Sequence, residues 1–466
     1  MRQLFTALNK TYVLALLCIL YSSEIWARAG GGGGGHGGGG GHSSGGGHYG
    51  GGGYYGGGGG GSPDFLVVII VFIVVIFIIS AAKAKSASTG GGNIVSDTDP
   101  ADSFPEGLDA QKIHTSFMAI QSAWQNKDLK QVRKWISDGV YQRYTAQFEM
   151  MNKLSQTNKL SNIRISGIKV VKTNTEGHYH TADVAIGFIM DDSFISNKYP
   201  VFNEQYEDDS DTEYWTFIKR SDASPGKNLY DNDNCPNCGA PLDIKMGEIS
   251  RCSSCGTLTN NASYDWVLGE ITQADDYDNA SIALEDNAQE QLLELTKNDT
   301  LFSTHRMEDI ASNVFMQIME VMTGGDEKKL SRFADSETVA NILKIKSASG
   351  NFIFDRLYLN DVALSNFSEE NERLNLVFLL SVTYKRVSLQ PRLTMLDEEA
   401  TTHGFTLTLS KNIKALQTPA KETVYSYECS SCGAPYTDTT DDVCTYCGAA
   451  VIDLNKNWVL TTFRIG

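Results

Sequence analysis

Positive charge is the first thing this sequence lacks. Its 466 residues carry 39 Lys+Arg against 56 Asp+Glu, a formal net charge of -17 and a pI near 4.9. A phosphate partner needs a concentrated basic face, and no run of Lys and Arg interleaved with aromatics occurs. Nucleic-acid binding is excluded on that ground. Three catalytic signatures are missing as well: a glycine-rich phosphate loop, a nucleophile elbow and HExxH. Cysteine outside two short stretches is limited to Cys18, which confines thiol chemistry to those stretches.

What is present begins with a targeting pattern. Arg2 and Lys10 precede the apolar run Tyr12 to Tyr21, and Ala27-Arg28-Ala29 fits a small-x-small cleavage site. Residues 1–29 therefore read as a signal peptide. Leu17 stands before Cys18 where a lipobox wants a small residue, so a lipoprotein is not expected. Residues 30–62 are nearly all glycine, punctuated by His36, His42, His48, Tyr49, Tyr54 and Tyr55. Such a segment has no apolar area to offset the entropy of ordering it and reads as a disordered tether. Its three histidines are either incidental or a weak transition-metal site.

Residues 65–82 (FLVVIIVFIVVIFIISAA) form an uncharged apolar run, at the lower edge of what spans a hydrocarbon core. Asp64 precedes it and Lys83 and Lys85 follow, so the positive-inside rule places the rest of the chain on the cytoplasmic side. The expectation is one transmembrane helix in a bacterial-type inner membrane, then a polar linker at 83–102.

Beyond the linker the pattern occurs twice. Leu108, Ile113, Phe117, Ile120 and Trp124 lie on one helical face. A second helix is predicted from Asp128 through Val132, Trp135 and Ile136, and a third from about Val140 to Leu154. Strands are predicted from Ile163 to Val171, Tyr179 to Met190 and Tyr214 to Lys219, ending on Trp266-Val267-Leu268. The acidic stretch Glu204 to Asp211 reads as a solvated loop between strands that could also attract a basic partner. The second copy has helix signal at Met307 to Met322, Lys328 to Phe333 and Ser336 to Ile345. Its strand signal lies at Phe352 to Leu364, Leu374 to Val387, Phe405 to Leu409 and Asn457 to Phe463. Helices followed by a curled antiparallel sheet indicate an α+β class, here as two tandem domains at 103–275 and 301–466.

Each copy carries a cysteine quartet ahead of its Trp-Val-Leu strand. The first is Cys235, Cys238, Cys252 and Cys255, in a ribbon at 233–258. The second is Cys429, Cys432, Cys444 and Cys447, in a ribbon at 427–450. A C-x-x-C turn brings two thiolates to one tetrahedral ion, and the glycine after it permits the turn. Two such knuckles close the coordination shell, so two structural Zn2+ sites are expected. Disulfides are the competing reading, disfavoured on a cytoplasmic side.

Phe117-x-x-Ile120-Gln121-x-Ala123-Trp124, then Asp128-Leu129, Tyr141, Trp215-x-Phe217 and the closing Trp266-Val267-Leu268 resemble the Tim44-like domain family. Members include bacterial membrane proteins with a signal peptide, a Gly-rich stretch and one transmembrane helix. They are similar to the carboxy-terminal domain of the mitochondrial translocase subunit that anchors the import motor to the inner membrane. The resemblance implies helices against a curved sheet, in a nuclear-transport-factor-two-like cone whose apolar pocket serves membrane contact. It extends from 103 to 271, and more weakly from 301 to 466. There Phe405 stands near the place of Trp215 and the Ala-Trp pair is missing. The ribbons are additions to the family's core.

The functional expectation is a non-enzymatic, membrane-anchored scaffold or adaptor holding a protein partner near the bilayer. One rival is a pocket that binds lipid or a small ligand, with Lys130, Arg133 and Lys134 either a lipid-facing patch or a solvated helix face. The other is a pocket enzyme. Its only candidate acid–base groups are His178, His180 and Asp183, and strand alternation turns Asp183 away from the two histidines.

Overall fold

The computed structural model describes residues 103–466 except 244–245, 278–285, 371, 416–428, 430, 433, 435–442 and 456. The signal segment, the tether, the apolar run at 65–82 and the linker lie outside the described residues. Among the described residues no helix is long and apolar enough to cross a membrane.

The first half starts with α1 (Ala110–Asn126). The Asp109 carboxylate accepts from the Lys112 amide at 2.7 Å and caps its N-terminus. Ile113, Phe117, Ile120 and Trp124 recur at three- and four-residue steps and are buried together. A second helix, α2 (Asp138–Lys153), is capped by Ser137, whose hydroxyl accepts from the Val140 amide. Four antiparallel strands follow in the order β1 (Gln156–Glu176), β2 (Tyr179–Ser196), β3 (Glu204–Arg220) and β4 (Val267–Gln273). Alternation along β2 turns Ala182, Val184, Ile186, Phe188 and Met190 into the core. There Phe117 lies 5.1 Å from Phe188 and 5.6 Å from Trp215, centroid to centroid. The protein's own aromatic rings fill the helix-facing side of this sheet.

Two helices lead to the second half: the short α3 (Ala274–Tyr277) and α4 (Asp286–Asn298). Then come α5 (Thr304–Met322), a 3-10 turn (Glu327–Arg332) and α6 (Ser336–Ser349). The second antiparallel sheet has β5 (Ile353–Glu370), β6 (Arg373–Ser388), β8 (Thr401–Asn412) and β9 (Val459–Ile465) side by side, with the short β7 (Thr394–Met395) on β6. The fold is thus mixed α and β with two antiparallel sheets.

The halves match in detail. Each ribbon lies between the third and fourth long strands of its sheet. In the first, Ser137 N–H donates to Leu268 O and Leu268 N–H to Trp135 O; in the second, Asp335 N–H donates to Leu460 O and Leu460 N–H to Phe333 O. Both third-to-fourth strand registers slip at one place, before the pairs Phe217–Leu268 and Leu409–Leu460. That register puts Leu407 opposite Phe463 where Trp215 stands opposite Ile271. Phe405 therefore occupies the place of Glu213, two residues from where the sequence comparison set it.

The two halves also interlock. All of α5 from Ala311 to Met322 is buried, because it packs against α2 on one side and its own sheet on the other. Ala146 and Met150 of α2 belong to the second half's core, and Tyr358 of β5 to the first's.

Three local expectations change. Residues 128–136 form turns rather than a helix, with short bonds such as Val132 N–H to Leu129 O. The acidic stretch Glu204 to Asp211 is strand, paired with β2 from Phe194–Glu204 to Phe188–Asp211. Beyond Glu213 β4 stops, so these acids line a sheet edge, where charge discourages pairing with another chain. The helix α4 had no place in the sequence reading.

Candidate metal centres

In the first ribbon each C-x-x-C forms a tight turn. Gly239 N–H donates to Cys235 O and Gly256 N–H to Cys252 O, both at 2.9 Å. These glycines have φ of +75° and +77°, a region other residues enter at a cost. Each turn also closes a small hairpin, Cys235 N–H donating to Ala240 O and Cys252 N–H to Thr257 O. The second ribbon repeats this at Cys444, with Gly448 at φ +71°.

The sulfur geometry is the deciding feature. Cys235 and Cys255 Sγ are 3.7 Å apart, and Cys238 and Cys252 3.8 Å. In the second quartet Cys429–Cys447 is 3.5 Å and Cys432–Cys444 3.7 Å. A disulfide needs about 2.05 Å, and all eight thiols are free. Four sulfurs at about 2.3 Å from one tetrahedral ion stand about 3.8 Å from each other. Both quartets can therefore hold a metal ion, in a shape compatible with zinc. In each turn the first cysteine is buried and the second exposed.

The basic cluster read from the sequence has a different role from either reading given to it. Arg133 is fully buried. Its guanidinium donates to Gly247 O and Glu248 O in the first ribbon, both at 2.8 Å, to Ile136 O at 3.1 Å, and to Asp138 Oδ1 at 2.5 Å. Lys134 is buried and donates to Asn232 O and Asp233 Oδ1 at the ribbon's base. Lys130 alone stays at the surface, 3.4 Å from Asp128. Because 128–136 turns rather than coils as a helix, consecutive Arg133 and Lys134 both point at the ribbon. Nothing in the sequence could have shown this, since their partners lie about a hundred residues away.

The candidate acid–base residues are not brought together. His178 is at the β1–β2 turn and His180 bonds Thr175 Oγ1 at 2.9 Å, whereas Asp183 accepts from Thr216 and Tyr277 on the other face.

Titratable groups gather instead where the halves meet. Asp309 of α5 accepts from the Ser137 hydroxyl at 2.5 Å and the Gly139 amide at 3.0 Å. Burial, with Asp138 nearby, pushes its carboxyl up to about 7. Burial with Glu270 and Glu308 beside it does the same for Asp361, also to about 7. His305 is opposed by burial, but Glu308, Asp183 and Glu270 hold it up to about 9. All three folded-state values lie above the unfolded ones, so the folded chain binds more protons at neutral pH. The stability they contribute is fully present below the unfolded values; it is lost between 3.8 and about 7 for the two carboxyls and between 6.5 and about 9 for His305. The melting temperature should therefore be higher near pH 5 than near pH 9, and Asp309→Asn should flatten the part of that slope below about pH 7. A melting temperature that rises with pH across this range would refute the assignment.

Residues 103–229 match the Tim44-like domain model. This segment is a Tim44-like domain. The match spans α1 through β3 and stops before Cys235; the first quartet lies between β3 and β4. No curated protein matches the chain. Among solved structures, an "Ntf2 like protein involved in plasmid conjugation" aligns with 63% of this chain and 92% of its own. Its identity is 8% and its TM-score 0.14, too low to bear on the fold.

Proposed function

We propose that the chain is a non-enzymatic, membrane-anchored scaffold or adaptor whose shape depends on two structural zinc ions. The observation that carries this is the closed thiol geometry: an ion held by four thiolates has no position left for water or substrate. Its contribution is to hold loops in place. The membrane link is supported by the Tim44-like domain, which belongs to a membrane-associated family, and by the apolar run at 65–82 ahead of it. The flanking charges favour an inner membrane with the bulk of the chain in the cytoplasm, where free thiols and zinc are compatible. The partner in this reading is a protein.

Ligand binding is the second reading. A cleft of about 350 Å³ lies between α1 and the first ribbon, lined by Thr115, Lys130, Tyr230, Leu242, Asp243 and Met246 among others.

The test is the metal content of the full chain, purified in mild detergent under reducing conditions, with thiol labelling before and after chelation. Two zinc ions per chain and thiols that label only after chelation support the proposal. An absence of metal, with thiols that label only after reduction, would mean disulfides and an inverted topology.

A further inference from the structure

We propose that the first cysteine quartet is a metal-operated clasp between the two halves of the protein, a role the second quartet does not share. The proposal rests on the metal reading above and goes beyond it.

The clasp is built on the loop between the first ribbon's two knuckles. On one side Gly247 O and Glu248 O receive the Arg133 guanidinium, and the Ser250 hydroxyl donates to Arg133 O at 3.2 Å. Arg133 in turn holds Asp138, the first residue of α2, and lies 4.5 Å over the Tyr141 ring. On the other side the Glu248 carboxylate meets Lys329 of the second half at 3.4 Å. Lys329 also bonds Glu320 of α5 at 3.0 Å, and Glu320 accepts from Gln142 of α2 at 3.1 Å. One ribbon loop thus contacts both halves beside the α2–α5 packing that joins them.

Apart from those bonds, the apolar cluster that the ribbon forms among the described residues consists of Cys235, Leu242, Met246 and Cys252, far short of what an independent fold needs. Thiols released from metal separate, and in small metal-held ribbons the binding energy is the folding energy. Loss of the ion would withdraw two carbonyls from a fully buried cation and a carboxylate from Lys329. Buried charges left without partners are strongly destabilising, so the α2–α5 junction would loosen with the ribbon.

Among the described residues the second half differs at the position of Arg133. Its matching backbone bonds set Phe333 in the place of Trp135 and Ala334 in that of Ile136. Ser331 then stands where Arg133 stands, and the buried Arg332 where Lys134 stands. Just past the second ribbon, Asn412 N–H donates to Leu454 O and Asn457 Nδ2 to Val451 O, bonds that stay within the second half. The exposed Tyr446 and Val443 sit on its outer knuckle.

The experiment compares amide hydrogen exchange in the zinc-loaded full chain, in the same chain after chelation, and in two double variants. Cys252→Ala/Cys255→Ala removes the first site and Cys444→Ala/Cys447→Ala the second, with zinc counted in each. Loss of the first site should speed exchange in α2 and in residues 327–332 by roughly ten- to a hundredfold. Loss of the second should leave both segments unchanged. Glu248→Gln keeps both metals and should speed exchange in 327–332 only, which covers the case of a first-site variant that does not fold. A zinc-loaded chain whose junction exchanges alike with and without the first site overturns the clasp, as does an equal effect from either quartet. A wild-type chain without zinc overturns the metal reading beneath it.

Discussion

Arg133→Ala lowers the unfolding free energy by about 3–5 kcal/mol, the cost of opening a buried ion pair by removing one partner. The guanidinium is fully buried and satisfies four acceptors: Gly247 O, Glu248 O, Ile136 O and the Asp138 carboxylate. After the substitution Asp138 keeps only part of its support, from Asn260 Nδ2 at 2.9 Å. The ribbon carbonyls have no replacement donor. Arg133→Lys should recover little, because a single ammonium cannot reproduce a planar fork that reaches both the ribbon carbonyls and Asp138. Lys130→Ala is the comparison, since its pair with Asp128 is about half exposed on both sides and should change stability by less than about 1 kcal/mol. Denaturant unfolding of the zinc-loaded chains measures all three. If Arg133→Ala falls within about 1 kcal/mol of Lys130→Ala, the gripping role is wrong.

Trp215→Ala should cost a similar amount, about 3–5 kcal/mol, for a different reason. The indole is fully buried between Phe117 and Phe217, so truncation leaves a large cavity in close-packed surroundings. It also carries a polar duty: its Nε1 donates to the Glu213 carboxylate at 2.9 Å, in the interior of the sheet. Trp215→Phe separates the two effects. It keeps most of the ring but removes the donor, and should cost about 1–3 kcal/mol. Pairing that change with Glu213→Gln in a double-mutant cycle should show a coupling of about 1 kcal/mol. In the second half Leu407 and Phe405 hold the two places. Leu407→Ala should therefore cost about 2–5 kcal/mol through its cavity alone, with no coupling to Phe405 of a polar kind. An additive cycle at Trp215 and Glu213 would remove the polar argument.

Several elements were legible because they obey one local rule. The helices at 110–126, 138–153 and 304–322 declare themselves by apolar spacing. The strand β2 shows in its alternation, and the quartets in their C-x-x-C spacing. Strand ends were less legible. β1 runs from 156 to 176, yet only 163–171 showed strand character. It is an edge strand, with one face mostly exposed, so its outer residues carry no apolar signal. The acidic part of β3 was misread for a related reason. Aspartate and glutamate are poor strand formers, and here pairing with β2 overrides that preference.

The sequence by itself determined the acidic balance, the two thiol quartets and the helix–sheet order of each half. All of these follow from composition or from periodicities of a few residues, which the chain carries wherever it folds. Tertiary structure alone decided that Arg133 and Lys134 grip the first ribbon. It alone decided that the halves interlock through α2 and α5, and that carboxylates gather where they meet. Those facts join residues mostly about a hundred or more positions apart. Long-range packing, and the burial of charge that comes with it, leaves no local periodicity to read.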